Sequence, residues 1–302
     1  MELPGASGFQ RCLEALHAAF PALNVVDAAP IDDGWDNYVI EINKSLIFRF
    51  PRRVNIQQRL ATDVRLLPEL AKALPLPIPS LDYIATKPGN DGPTFVGYPK
   101  IPGEPLLLRK TATHQGLAKQ LGEFLTMLHR FPVRDAVNMG VPNGTAKSWQ
   151  QEYIDLYTKV SSDIFALIKP SQRSTIEALW SSYLDNVANF RFEPVLVHRD
   201  LSGENILWNP DLGELTGVID WSDSSIGDPA IDFVNEFPVR SNSFTEMVLG
   251  FYKGVVDSSF RQRIKFYSQA APFYGVLLGL QTGQPEMVDI EIKSLQDMLE
   301  SA

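Results

Sequence analysis

Apolar positions along this chain change period several times, and the changes mark out its elements. Phe9, Leu13, Leu16 and Phe20 recur at helical spacing, which predicts a helix over 9–20 that Pro21 stops. Three β-rich stretches follow, Val25 to Ile31, Tyr38 to Ile42 and Ser45 to Phe50, and read as antiparallel strands. Leu60, Val64 and Leu67 then share one helical face over 55–67, with Pro68 expected to start a new turn. Pro75, Pro77 and Pro79 break that helix and lead into strands over 81–86 and 94–98, joined by the turn Asn90-Asp91-Gly92-Pro93. From 113 the pattern is helical. A stripe of Leu117, Leu121, Phe124, Leu125 and Leu128 ends at His129, a loop spans 132–147, and helices are predicted over 148–168 and 171–189. After 243 the chain reads as three or four helices with Phe266, Tyr267, Phe273 and Tyr274 clustered among them.

Between the helical regions lie two short apolar runs, Val195-Leu196-Val197 and Leu215 to Ile219, each ending in polar residues. His198-Arg199-Asp200 and then Asn205 follow the first; Asp220 follows the second. Strand ends of this kind place two carboxylates and a carboxamide at one edge of a small sheet. One carboxylate can accept the proton of an attacking hydroxyl, while the other, with an amide oxygen, can hold Mg²⁺ against nucleotide phosphates. Asp200 and Asn205 stand at the offset found in the protein-kinase catalytic loop, and Asp220-Trp221-Ser222 takes the place of its metal-binding Asp-Phe-Gly. An isolated His-Arg-Asp usually marks a turn or cap. Here it is followed by a hydrophobic hairpin, the Asp-Trp pair, and Gly227-Asp228-Pro229 with Asp232-Phe233.

On these residues the chain resembles the aminoglycoside phosphotransferase family and, more widely, small-molecule kinases with a protein-kinase-like fold. The resemblance implies an α+β, two-lobed fold: a small antiparallel-sheet lobe over 1–98, a hinge over 99–105, and a large, mainly helical lobe over 106–302. It implies that Asp200 receives the acceptor's proton and that Asn205 and Asp220 carry Mg²⁺. Gly34 and Trp35 would cover the nucleotide, in a loop with one glycine where protein kinases have three. The strand lysine of kinases is missing. Arg49 stands in its place, and the spacing of the next helix turns Asp63 toward it, so Arg49 and Asp63 are expected to replace the lysine–glutamate pair, with Glu69 the competing carboxylate. Tyr98 falls at the gatekeeper position, which puts GTP ahead of ATP as the donor, and base recognition is expected near Lys100 and Ile101. Glu152, Asp155, Asp232, Glu236 and Tyr274 are the candidate acceptor contacts, Asp228 and Asp232 being also expected to hold the catalytic loop. The segment 222–227 is too short for a regulated activation segment, which argues against peptide substrates.

Composition narrows the partners. A net charge of −9 over 302 residues disfavours nucleic acid and suits a cationic acceptor. No apolar run approaches the ~20 residues that span a bilayer, and the first residues carry no basic-then-apolar signal, so a cytoplasmic location is expected; the enzyme is also expected to be a monomer. The single cysteine, Cys12, excludes an internal disulfide and reads as packing. An aminoglycoside is the first acceptor reading. Alternatives are a macrolide, suggested by Arg49-Phe50-Pro51-Arg52-Arg53; a metabolic choline, sugar or homoserine type; and a nucleotide-binding pseudokinase, suggested by the missing lysine.

Overall fold

In the computed structural model the described residues are 6–32, 36–87, 89, 92–106, 115–234 and 242–300. Strands β1 (Ala28–Asp32), β2 (Asn37–Ile42), β3 (Leu46–Pro51), β4 (Tyr83–Thr86) and β5 (Pro93–Pro99) form one antiparallel sheet in the order β1-β2-β3-β5-β4. Alternation in β2 sends Tyr38, Ile40 and Ile42 inward. The central strand β3 is buried on both faces, because helix α1 (Ala6–Ala19) covers one side and helix α2 (Val54–Ala73) the other. Cys12 and Leu16 of α1 pack with Ile40, Phe48 and Phe95 in a separate small core, so the thiol is a packing element. Gly97 of β5 lies under the Phe48 ring, where a Cβ would come within 2.2 Å of it. The β2–β3 turn places Asn43 and Lys44 at φ +54° and +57°, as a tight hairpin of this hand demands.

Pro68 lies inside α2, which continues to Ala73 with Leu66, Leu67 and Leu70 buried. An internal proline costs about 3 kcal/mol or more; burial of three leucines, at ~1.5–3 kcal/mol each, outweighs it.

The larger lobe is mainly helical: α3 (Gln115–His129), α4 (Val133–Asn138), α5 (Ala146–Lys159), α6 (Pro170–Leu184), α7 (Asn242–Phe251), α8 (Phe260–Thr282) and α9 (Pro285–Glu300). Helix α4 falls within the stretch expected to be loop. Helix α5 passes into a π turn, Val160–Ile164, and a 3₁₀ turn, Phe165–Leu167, before α6 begins. Trp180, Tyr183, Phe266, Tyr267 and Phe273 are buried at the centre, with the Tyr183 and Phe266 rings stacked at 3.6 Å. Among the described residues no helix is long and apolar enough to cross a membrane.

The two short apolar runs lie in different sheets. β7 (Val195–Val197) pairs with β10 (Ser225–Gly227), whereas β9 (Glu214–Val218) pairs with β8 (Ile206–Asn209), which in turn pairs with β6 (Glu104–Pro105). Their ends still meet. The Ile219 amide donates to the Asn205 carbonyl at 2.9 Å, and His198 Nε2 reaches the Ile219 carbonyl at 3.0 Å. Gly103, at φ +128°, lets the connector between the lobes lie against the Trp208 carbonyl, where a Cβ would stand 2.9 Å away.

Candidate active site

The loop after β7 is held from below by one carboxylate. Asp232, fully buried, accepts from the His198 amide at 2.9 Å and the Arg199 amide at 2.7 Å, and His129 Nε2 donates to it at 3.1 Å. Both of its oxygens are engaged inside the protein. Its expected anchoring of the loop therefore matches its surroundings, whereas its place among the acceptor contacts does not. Asp228 behaves differently from the expectation: it holds α8 rather than the loop. It accepts from Arg263 Nε at 2.6 Å and from the Tyr267 hydroxyl at 2.6 Å.

Above this anchor Asp200 stands exposed. Asn205 Nδ2 donates to the Asp200 carbonyl at 2.8 Å and to its Oδ2 at 2.9 Å, which leaves the Asn205 Oδ1 for another partner. Asp220 follows the Asn205–Ile219 backbone contact directly, at φ +62°, a left-handed setting that few non-glycine residues adopt. Its side chain is 49% exposed. The two side chains thus offer hard oxygen donors from adjacent strand ends, a set that fits Mg²⁺. His198 is buried, and burial lowers its pKa, so the ring is neutral at pH 7 and braces the loop against Ile219 and the Trp221 ring.

Arg49 approaches from the other lobe. Its Nη2 donates to Asp220 Oδ1 at 2.9 Å and to Ser222 Oγ at 2.7 Å, and its Nη1 lies 3.8 Å from Asp63 Oδ2. The Ser222 hydroxyl in turn donates to Asp63 at 3.3 Å. Burial alone would lower the Arg49 pKa, but Asp220, Tyr98 and Asp63 raise it, so the guanidinium stays charged. Burial pushes Asp63 up to about 6, against the opposing pull of Arg49. Glu69 pairs with Lys72 on the surface of α2, away from this cluster.

Tyr98 is buried on β5 opposite Ile47, and burial pushes its phenol up to about 12, so it remains protonated. The Lys100 amide is already used, donating to the Ser45 carbonyl at 2.8 Å, and its ammonium meets Glu41 at 2.5 Å. Lys100 therefore cannot present its N–H to a base. The neighbouring Ile101 packs its side chain over Gly217. Gly34, Trp35 and Glu236 lie outside the described residues.

On the opposite wall, α5 starts with a capping box in which Thr145 and Ser148 satisfy each other's amides. Glu152 of this helix is paired with Arg199, and Asp155 accepts from Gln151 at 2.9 Å. The Tyr274 ring is 45% exposed, and burial of its hydroxyl, bonded to Tyr153 near Glu152, pushes it up to about 12. A cavity of about 450 Å³ opens at Gln151, Glu152 and Asp155, and another of about 370 Å³ lies between α2 and residues 221–225. Both flank the Asp200–Asp220 pair rather than enclose it. Sequence reasoning missed Ser222 and the pairing of Arg199. The serine carried no signal beyond following Asp220 and Trp221; the arginine was visible inside His-Arg-Asp, but nothing linear joined it to Glu152.

Residues 27–249 match the model of the phosphotransferase enzyme family. Viomycin phosphotransferase of Streptomyces vinaceus is 31% identical over 149 residues, which covers 48% of this chain and only 50% of that protein. Among solved structures, the GDP and kanamycin complex of a type IIIa aminoglycoside 2''-phosphotransferase superposes with a TM-score of 0.88 at 27% identity, covering 96% of this chain and 99% of that one. Macrolide 2'-phosphotransferase type I shares the fold, with a TM-score of 0.78 at 20% identity over 98% of this chain and 99% of that one. With the family model covering most of its length and the fold shared from end to end, this two-lobed chain belongs to the phosphotransferase enzyme family.

Proposed function

We propose that this enzyme moves the γ-phosphoryl group of a nucleoside triphosphate to a hydroxyl of an aminoglycoside antibiotic. The observation that carries the reading is the meeting of Arg49 with Asp220, beside the Asp200–Asn205 pair, at the junction of the two lobes. In this reading Asp200 takes the proton of the acceptor hydroxyl. Asn205 and Asp220 would hold Mg²⁺, which would neutralise charge on the phosphates. Arg49, kept in place by Asp63 and Ser222, steadies the same phosphates. The transition state is loose, so positioning and charge neutralisation do most of the work. GTP is the preferred donor, a reading supported by the buried Tyr98 behind the base and by the GDP bound in the type IIIa relative. Glu152, Asp155 and Tyr274 give the acceptor wall a carboxylate-rich, partly aromatic surface suited to a cation. The enzyme works as a cytoplasmic monomer in this account.

A second reading, viomycin as the acceptor, is favoured by the 31% identity to the viomycin enzyme over half of its length. The test is direct. Purified protein with Mg²⁺ and GTP or ATP is offered kanamycin, viomycin and a macrolide, and products are read by mass spectrometry. Addition of one phosphoryl group to kanamycin supports the first reading, addition to viomycin alone supports the second, and addition to the macrolide alone overturns both.

A further inference from the structure

We propose that Arg199 is a positioning residue that couples the acceptor wall, α5, to the carboxylate of Asp200; this rests on the phosphotransfer reading above. Arg199 immediately precedes Asp200, and its backbone is left-handed at φ +73°, a setting arginine adopts only when its surroundings impose it. The main chain is pinned on one side by the bond from its amide to Asp232 at 2.7 Å. The side chain is thrown to the other side, where its guanidinium lies 5.0 Å from the centre of the Trp149 ring and forms an ion pair with Glu152. Trp149 and Glu152 are three apart on α5 and so share one face of the helix. Together they make a seat that a planar, delocalised cation fills better than an ammonium would.

The seat is itself built from inside. Trp149 Nε1 donates to the Tyr267 hydroxyl at 2.9 Å, and that hydroxyl donates to Asp228 at 2.6 Å. Arg263, fully buried, neutralises Asp228. Gly227 passes so close under the indole that a Cβ would come within 2.2 Å of it. The indole thus cannot turn, and the Arg199 head has one place to rest. Its charge is secure, since Glu152 raises a pKa that burial would lower.

The pair is also reachable. Arg199 and Glu152 side chains are 30% and 36% exposed. Glu152 borders the cavity at the start of α5, and Arg199 borders the one beside α2. An acceptor ammonium that docks on Glu152 takes a share of the carboxylate that Arg199 holds. The change reaches Asp200 through a single peptide unit. The function of the pair is therefore to make the placement of Asp200 depend on what sits against α5.

The test is steady-state transfer by wild type, Arg199→Ala, Glu152→Ala and the double variant, with nucleotide affinity measured by calorimetry. Arg199→Ala is expected to lower kcat by roughly 10- to 100-fold, the scale set by a misplacement of about 1 Å, with nucleotide Kd unchanged. The double variant should lose no more than Arg199→Ala alone, because the two side chains act as one unit. Arg199→Lys, which keeps the charge and guards against an alanine variant that fails to fold, should recover part of kcat. Losses that multiply, or a loss of thermal stability with kcat intact, would overturn the proposal. If wild type phosphorylates no acceptor, the functional reading falls, and the coupling is read from the slow hydrolysis of the nucleotide. Slower hydrolysis in Arg199→Ala then supports it, and equal rates overturn it.

Discussion

Arg49 and Asp220, 171 positions apart in the chain, meet at 2.9 Å. The guanidinium belongs to the central strand of the small lobe and the carboxylate to the loop after β9, so their contact ties the lobes together where the phosphates are proposed to lie. Ser222 and Asp63 complete the cluster, and both Arg49 and Asp63 are almost wholly buried. An arginine so enclosed is costly to desolvate and is retained only with compensating partners.

Replacing Arg49 by methionine keeps the side chain's bulk and removes its charge. We expect kcat/KM to fall roughly 100-fold, the size of a lost charge-stabilising contact, with weaker nucleotide binding. Steady-state kinetics and calorimetry on the purified variant check this. Unchanged turnover and affinity would remove Arg49 from the phosphate site.

Asp63 predicts a pH dependence of stability. Its folded pKa, about 6, lies above the ordinary value of 3.8, so the folded chain binds this proton more tightly than the unfolded one. Its contribution to stability therefore declines as pH rises from near 4 to near 6 and is level above that window. An Asp63→Asn variant lacks the decline. The difference in unfolding free energy, variant minus wild type, should grow with pH across this window in urea titrations. A difference that shrinks would show that the carboxylate is stabilised, not penalised, by the fold.

Asp232 separates anchoring from acceptor binding. Asp232→Asn replaces one carboxylate oxygen by an N–H donor that faces donors, so at least one backbone amide of His198 or Arg199 loses its acceptor. The expected cost is about 1–3 kcal/mol of stability, the penalty for a buried unsatisfied group, with a fall in kcat and little change in acceptor KM. A rise in acceptor KM alone, with stability unchanged, would return Asp232 to the acceptor contacts.

Much of this was legible in the linear chain, for identifiable reasons. β2, α1 and the stripe of α3 follow from periodicity, because one face of each is buried and the other is wetter, whereas β3, buried on both faces, is legible as a short continuous apolar run. The Asp200–Asn205 spacing and Asp220 are local, as is the turn of Asp63 into the face of α2. Other features depend on contacts between distant segments. The continuation of α2 through Pro68 is decided by leucines that meet the rest of the core. The use of the Lys100 amide depends on Ser45, which comes within reach only once β3 and β5 pair. The division of labour between Asp228 and Asp232 depends on whether Arg263 or the loop amides lie opposite, and four residues of sequence separation do not reveal that.

The central claim is that the cleft carrying Asp200, Asn205 and Asp220 passes a phosphoryl group to an acceptor hydroxyl. The most direct measurement compares wild type with Asp200→Asn for phosphorylated aminoglycoside by mass spectrometry, with GTP and Mg²⁺ supplied and nucleotide binding measured alongside. The account predicts product with wild type, and a rate lower by roughly 100- to 10,000-fold in the variant, the range for loss of a general base, while the nucleotide still binds. Equal rates in the two proteins would contradict it.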